Sequence, residues 1–455
     1  MITQFVKVVI VTLDSPEVLS YAIPKGVDSY GSLLVLCSRK SFVRYPMARY
    51  SLKERRIAFD FNNEKVRGVN IGGWLVLEPF ITPSLFQQWA NGGGVIDEYS
   101  YTATLGKEEA SNRLNHHWST WITQDDFNEI ASMGLNHVRI PVGYWALNPR
   151  PDDPYVQGQL PYLDKAIGWA RSAGLKVILD LHAAPGSQNG FDNSGRAGTI
   201  KWQSGDNVPN TLIAIKNMAD RYASQSDVVT TIELLNEPAN WGNNMDQIKK
   251  FYYDGFGNVR TKGDTAVMIH DSFLDPTSWN GFMNQQSGVN NIILDTHIYQ
   301  IFSQEGASMK PCAHVQTACA AANRIRSTDK WTVVGEWTAA QTDCAKWLNG
   351  LGNGARYDGT LPSSSSGYYG SCDKKYEGTV SEMLPVDKTN LQYYVEAQLD
   401  AYEAHTGWIF WTWKTESAPE WHFQNLTRAG LIPQPLTARK LPSQCVTSQC
   451  FIPGN

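Results

Sequence analysis

Lys176-Val177-Ile178-Leu179-Asp180-Leu181-His182 carries an unbroken apolar run that closes on an acid and a histidine. A strand with one wet face alternates polar and apolar residues. A continuous run of this length suits a strand covered on both faces, as in a parallel sheet flanked by helices. Ile292-Ile293-Leu294 repeats the pattern. Working outward from these two, eight candidate strands can be placed: Lys65–Asn70, Asn136–Pro141, Lys176–His182, Val229–Asn236, Ala266–Asp271, Asn291–Tyr299, Thr332–Glu336 and Gly407–Trp413.

The segments between them read as helices. Thr123-Gln124-Asp125-Asp126 has the form of a capping box, followed by apolar Phe127, Ile130, Ala131 and Leu135. Leu163, Ile167 and Ala170 make a second stripe, ended by Gly174; Leu212, Ile215, Met218 and Tyr222 make a third, and Tyr394, Ala397 and Ala401 mark a late helix. Strands alternating with helices in this way predict an α/β fold, a (β/α)₈ TIM barrel in one domain with loop insertions. An open doubly wound sheet is the alternative, but no Gly-x-Gly-x-x-Gly turn follows the first strand.

Barrel active sites lie at the C-terminal ends of the strands. Those ends collect Asn70, Arg139, His182, Asn236-Glu237, His270-Asp271, His297 with Tyr299, Glu336-Trp337 and Trp411. One polar residue at a strand end is commonly a cap or loop contact; a ring of them argues for a site. Two carboxylates stand out, Glu237 after Leu234-Leu235-Asn236 and Glu336 after Val333-Val334-Gly335. A pair of carboxylates across a cleft is the minimum equipment for glycoside hydrolysis, one protonating the leaving oxygen and the other attacking the anomeric carbon or activating water. Taken singly, Glu237 could serve the helix dipole beside Pro238, and Glu336 could be a salt-bridged glutamate.

Composition agrees with a carbohydrate ligand. The chain has 455 residues, 42% of them hydrophobic and only 18% charged, with 16 Trp, 20 Tyr and 16 Phe. Aromatic faces with little charge suit flat, neutral, hydroxylated molecules. A net charge of −5 argues against nucleic acid as a partner, and no stretch approaches the roughly 18 apolar residues of a membrane span.

Six of seven cysteines fall late, at 312, 319, 344, 372, 445 and 450, with no Cys-x-x-Cys pair. Structural disulfides in an oxidising compartment are expected, with six buried thiols as the alternative; connectivity stays open. Residues 1–56, which include Cys37, hold short apolar runs and no clear cleavage site, so they are expected to be a leader or a misplaced start outside the fold. The catalytic barrel domain is expected to occupy residues 57–455. Asn425-Leu426-Thr427 is a glycosylation sequon, and the Gly/Ser-rich insertion from Gly350 to Gly370, bracketed by Cys344 and Cys372, is expected at the rim.

Arg67-Gly68-Val69-Asn70-Ile71-Gly72-Gly73-Trp74-Leu75-Val76-Leu77-Glu78-Pro79 resembles the opening of the fungal exo-β-1,3-glucanases of glycoside hydrolase family 5. Val138-Arg139-Ile140-Pro141, Asp180-Leu181-His182, Asn236-Glu237-Pro238, His297-Ile298-Tyr299 and Gly335-Glu336-Trp337 follow in that family's order, and the likeness runs from about Phe59 to Phe451. The resemblance implies a retaining mechanism, with Glu237 as general acid/base and Glu336 as nucleophile. Glu237 should then have a raised pKa and Glu336 should be ionised, helped by Arg139. Asn236 would bond the sugar 2-hydroxyl, Tyr299 would orient Glu336, and His182 and His297 would bind hydroxyls or hold the carboxylates. Glu78 would grip the terminal glucose and Trp411 would form its platform. Phe191 and Phe302 would clamp the next glucose, with Asp192 and Asn193 as further contacts.

The resulting expectation is a secreted or cell-wall exo-β-1,3-glucanase, monomeric, acting on β-glucan with some transglucosylation, and using neither cofactor nor metal. Another family 5 specificity, such as endo-β-1,4-glucanase or mannanase, is the first alternative. A non-catalytic glucan-binding wall protein is the second, disfavoured because pure binding does not require both Glu237 and Glu336.

Overall fold

The computed structural model describes residues 57–362, 367–446, 450 and 452. The leader or misplaced start expected over residues 1–56, with Cys37, lies outside these, as do residues 363–366 of the insertion.

Eight parallel strands close into a barrel in chain order: β1 Val66–Asn70, β2 His137–Gly143, β3 Lys176–Ala183, β4 Val229–Glu233, β5 Ala266–His270, β6 Ile292–His297, β7 Trp331–Glu336 and β8 Gly407–Phe410. β1 pairs with β8, setting Val66 opposite Gly407 and Val69 opposite Phe410. The open-sheet alternative is thereby excluded. Strand β4 ends three residues before the expected Asn236, yet the Leu234 and Asn236 amides still donate to the Met268 and Leu181 carbonyls, so its rim end stays in the wall.

The longer helices between strands are α1 Glu98–Thr120, α2 Gln124–Ser132, α3 Leu160–Ala173, α4 Asn207–Tyr222, α5 Met245–Arg260, α6 Pro311–Arg326 and α7 Pro385–Tyr402. Their boundaries follow local chemistry. Asp126 accepts from the Thr123 amide at 2.8 Å and closes the capping box of α2. The same carboxylate accepts from Trp413 Nε1 at 2.9 Å and Lys414 Nζ at 2.7 Å, so one cap also anchors the loop after β8. Helix α3 buries Leu163, Ile167 and Ala170 as expected and ends on Gly174, whose φ of 76° is the left-handed conformation that glycine adopts without penalty.

Side chains i and i+2 on a strand share a face. Inside the barrel this produces layers. The floor is apolar, built from Val66, Ile178, Ala266, Met268, Ile293, Val333 and Ile409 with Phe61 packed against them. One step up the same inward rows come Arg139, Asp180, Glu233 and Asp295, all fully buried. Another step reaches the rim residues His182 and His297. A dry floor beneath a charged middle layer holds the rim groups in fixed rotamers.

The six late cysteines form three disulfides, Cys312–Cys450, Cys319–Cys445 and Cys344–Cys372. The last spans the base of the insertion. The sequon falls in the short helix Phe423–Arg428 with Thr427 buried, not on an exposed loop. Among the described residues no helix is long and apolar enough to cross a membrane.

Closing the loop between Cys344 and Cys372, 28 residues apart in sequence, limits the unfolded chain more than the folded one. Replacing both cysteines by serine is expected to lower equilibrium stability by about 3 kcal/mol in urea unfolding, with far-ultraviolet circular dichroism unchanged.

Candidate active site

Arg139 occupies the centre of the mouth and is 0% exposed. All three guanidinium nitrogens are engaged. Nε donates to Glu233 Oε2 at 2.7 Å, Nη1 to Asn70 Oδ1 at 3.0 Å and to Glu336 Oε1 at 3.0 Å, and Nη2 to Asn236 Oδ1 at 2.8 Å. Asp180 Oδ2 stands 3.1 Å from Nη2. Asn70 in turn donates to the Gly335 carbonyl at 2.9 Å and the Phe410 carbonyl at 3.3 Å. Groups from β1, β3, β4 and β7 therefore meet at the one cation carried by β2, and Asn70 ties β8 to them.

Glu336 closes β7. Its second oxygen accepts from the Tyr299 hydroxyl at 2.8 Å. The preceding Gly335 admits no side chain: a Cβ there would lie 2.1 Å from Asp295 Oδ1, which accepts the Gly335 amide at 2.8 Å. Glu237 sits beyond β4 with a φ of 47°, a left-handed conformation costly for a residue with a Cβ. Its carboxylate is held from two sides, by His297 Nδ1 at 2.7 Å and by Asn193 Nδ2 at 3.1 Å.

His297 lies between the two glutamates. Its Nδ1 is 2.7 Å from Glu237 Oε1 and 3.5 Å from Glu336 Oε2, and its Nε2 is 3.3 Å from Asp295 Oδ2. One oxygen of each glutamate thus lies within roughly 6 Å of the other, compatible with the carboxyl spacing of about 5–5.5 Å in retaining glycosidases. Burial alone would lower the His297 pKa, but Glu336, Asp295 and Glu237 outweigh it and raise it well above 6.5. The imidazolium then reshapes its neighbours. Glu237 is lowered although burial pushes it up, because His297 and Asn193 bond its charged form. Glu336 is raised, first by burial and then by Glu237, against the pull of His297 and Arg139. The two shifts run opposite to the order expected for the two glutamates, because His297 bonds Glu237 in its charged form while burial dominates at Glu336.

The other expected residues gather around this pair. Glu78 is buried, and its pKa is raised well above 4.5 by burial and then by Asp192, Glu336 and Glu237. Asp192 is pushed up to about 7 by burial and Asp97. His182 bonds Asp180 through Nδ1 at 2.6 Å and stacks on Trp411, the rings 5.6 Å apart and inclined by 6°. His182 Nε2 and Asn236 Nδ2 are buried polar atoms with no hydrogen-bond partner among the described residues. Phe191 and Phe302 are each 43% exposed. Phe302 packs on Tyr299, whereas Phe191 packs on Trp241, which continues to Phe273 at 4.8 Å. An exposed aromatic ridge therefore extends from one side of the mouth.

Sequence reasoning missed Asp180, Glu233 and Asp295 as site residues, along with Asn189 and Trp241, and it collected His270 at a strand end without a role. The signal for two acids was present. Asp180-x-His182 and Asp295-x-His297 put an acid and a histidine on the same inward row, and both pairs are bonded. His270 comes from β5; its Nδ1 accepts the Ser272 amide at 3.0 Å, which leaves the proton on Nε2. Glu237, His270 and His297 form the one potential metal-binding group found among the described residues, their ligand atoms within 4.8 Å of one another. The Nδ1 atoms of His270 and His297 are already bonded to the Ser272 amide and to Glu237.

Residues 102–353 match the model of the cellulase family, glycosyl hydrolase family 5. The chain is 80% identical over 404 residues to a glucan 1,3-beta-glucosidase of Blumeria graminis, covering 89% of this chain and 95% of that protein. It is 52% identical to a protein named probable glucan 1,3-beta-glucosidase A of Aspergillus niger, covering 85% and 92%. Among solved structures, a rutinosidase from Aspergillus niger shares the fold, with a TM-score of 0.63 and 22% identity over 82% of this chain and 99% of that one. The site and fold define a barrel glycoside hydrolase. The chain belongs to glycosyl hydrolase family 5.

Removing Arg139 would leave Asp180, Glu233 and Glu336 buried without their cation. Arg139→Met is expected to destabilise the fold by about 3–5 kcal/mol in urea unfolding. Because Arg139 lowers the Glu336 pKa, any activity left in that variant should show its acid limb at higher pH.

Proposed function

We propose that this enzyme is a retaining exo-β-1,3-glucanase that releases glucose from the non-reducing ends of β-1,3-glucan, with residues 57–455 as its catalytic domain. The observation that carries this reading is the Glu237–Glu336 pair held about His297, in a chain 80% identical to a glucan 1,3-beta-glucosidase.

Glu336 is the nucleophile. Arg139 and Tyr299 bond its two oxygens, which favours the ionised form and aims it at the anomeric carbon. Glu237 is the acid/base. Substrate binding displaces water and brings the glycosidic oxygen to Glu237, which receives the proton stored on His297 through their 2.7 Å bond. As the C1–O bond breaks, Glu237 gives that proton to the leaving oxygen and Glu336 forms the C1–O ester. Water then loses a proton to Glu237 and attacks C1, releasing β-glucose and free Glu336. A sugar hydroxyl replacing that water gives transglucosylation. The unpaired Asn236 Nδ2 supplies a donor for the 2-hydroxyl, where hydrogen bonding strengthens toward the transition state.

Glu78, His182 and Trp411 receive the terminal glucose, with Asp192 beside Glu78. Asn193 acts first on Glu237 and only secondarily on sugar. Phe191 and Phe302 bound the next glucose, and the ridge through Trp241 and Phe273 extends the acceptor side. The three disulfides support work outside the cell, in secretion or at the wall, and the enzyme acts as a monomer.

The first experiment is a time course on linear β-1,3-glucan resolved by size and anomer. β-Glucose alone from the earliest time supports the reading, and mixed oligosaccharides would refute the exo assignment. Glu336→Ala should fold normally and lose turnover by several orders of magnitude; near-normal activity would remove the nucleophile assignment.

The charge on His297 lowers both glutamates. Replacing it by asparagine should therefore raise Glu336, which then ionises at higher pH and moves the acid limb up, while the basic limb, set in the wild-type enzyme by loss of the His297 proton, passes to Glu237. The acid limb of kcat/KM against pH on an aryl glucoside should shift to alkaline values. An unmoved acid limb would mean that His297 does not face Glu336 in the working enzyme.

A further inference from the structure

Two loops flank the place assigned to the terminal glucose, one carrying Glu78 and the other Phe191 to Asn193. Neither is part of a strand. Three consecutive residues at the start of α1 are bonded to both. Glu98 is 1% exposed, and its Oε2 accepts the amide of Leu77, the residue immediately before Glu78, at 2.8 Å. Asp97 Oδ2 accepts the Ala197 amide at 2.7 Å, while its Oδ1 caps α1 by accepting the Ser100 amide at 2.7 Å. The Tyr99 amide donates to the Gly195 carbonyl at 2.9 Å, and the Arg196 guanidinium lies 4.0 Å over the Tyr99 ring. Gly195 ends the single turn Asp192–Ser194 directly after Phe191.

We propose that Asp97 and Glu98 are positioning residues that fix the distance between the Glu78 loop and the Phe191–Asn193 loop, and so set how tightly the terminal glucose is gripped. The inference rests on the exo-glucanase reading above. Neither side chain reaches the reacting atoms; each acts through a backbone amide of a loop that does. The first turn of α1 is a suitable anchor, since it is already fixed by the Asp97–Ser100 box.

The acidic side chain at 98 is also compatible with its crowded surroundings. Burial raises its pKa to about 8, with the Leu77 amide and the Trp145 indole opposing. That shift reduces the charge it adds beside Glu78 and Asp192 while it holds Leu77. Asp97 acts differently: its charge helps to push Asp192 up to about 7, which couples the same bracket to the second loop electrostatically.

The test uses full-length enzyme carrying Glu98→Leu, Glu98→Gln or Asp97→Asn. Leucine fills the buried space without an acceptor, and glutamine keeps an acceptor oxygen for Leu77. The readouts are KM and kcat on laminaritriose, inhibition by glucose, product sizes and melting temperature. Losing one buried amide acceptor should raise KM and the glucose inhibition constant about tenfold in Glu98→Leu, with kcat much less affected, and Glu98→Gln should recover most of that change. Asp97→Asn keeps the cap but turns a donor toward Ala197; it should raise KM about fivefold with little change in melting temperature, and it carries the test if Glu98→Leu does not fold. Wild-type KM and glucose inhibition in the folded variants, or losses that only track melting temperature, would overturn the proposal. The wild-type control separates the two ideas, since failure of the unmodified enzyme to release glucose from β-1,3-glucan would instead sink the reading on which it rests.

Discussion

A guanidinium buried at 0% exposure and bonded on all three nitrogens is the constraint on which the mouth of this barrel depends. Moving a cation out of water is expensive, and only close, well-aligned partners offset it. Arg139 has Glu233, Asp180 and Glu336 within 3.1 Å, and their charges raise its pKa against the effect of burial. Any displacement of β3, β4 or β7 would strip one of these partners and leave charge unpaired. The barrel's rim geometry is thus enforced by electrostatics, above a floor enforced by packing. Glu336 inherits that rigidity because it is one of the partners.

The second centre, His297, has the opposite character. Arg139 cannot give up its proton, whereas His297 can, and it stands between both glutamates and Asp295. One carboxylate is tied to a permanent cation and a phenol; the other is tied to a titrating cation and two amides. That asymmetry assigns the roles better than the free-site pKa order does. A nucleophile needs constant charge, and an acid/base needs a partner with which protons are exchanged. The left-handed backbone at Glu237 fits the same division, since local strain persists where surrounding bonds over-determine a functional conformation.

Much of this was legible in the sequence because a parallel barrel writes itself in unbroken apolar runs with polar ends. The strand ends named Arg139, His182, Asn236, Glu237, His297 and Glu336, and all of them converge on the mouth. The middle layer was harder to read. Asp180, Glu233 and Asp295 lie inside runs that look uniformly buried, and attention to strand ends passes over them; the two-residue period leading to His182 and His297 was the available cue. Trp241 and Phe273 lie on loops whose course no periodicity fixes. The protonation order was illegible for another reason. It depends on a three-body arrangement of His297, Glu237 and Glu336, and sequence fixes neither the distances nor the tautomer.

The charge balance of the mouth also bears on what it can accept. Glu78, Asp180, Asp192, Glu233, Glu237, Asp295 and Glu336 share the site with two cations, Arg139 and His297. Seven carboxyls against two cations leave an acid surplus in a buried volume. Burial raises Glu78 and Asp192, and it raises Glu233 despite its bond to Arg139. Neutral carboxyls are both donors and acceptors, so they match hydroxyl groups, which are the same. An anionic sugar would meet the opposite situation, since its charge would add to that surplus of acids. The excess of acids therefore selects for neutral, hydroxyl-rich rings and against charged ones, through the same burial that sets the catalytic pair.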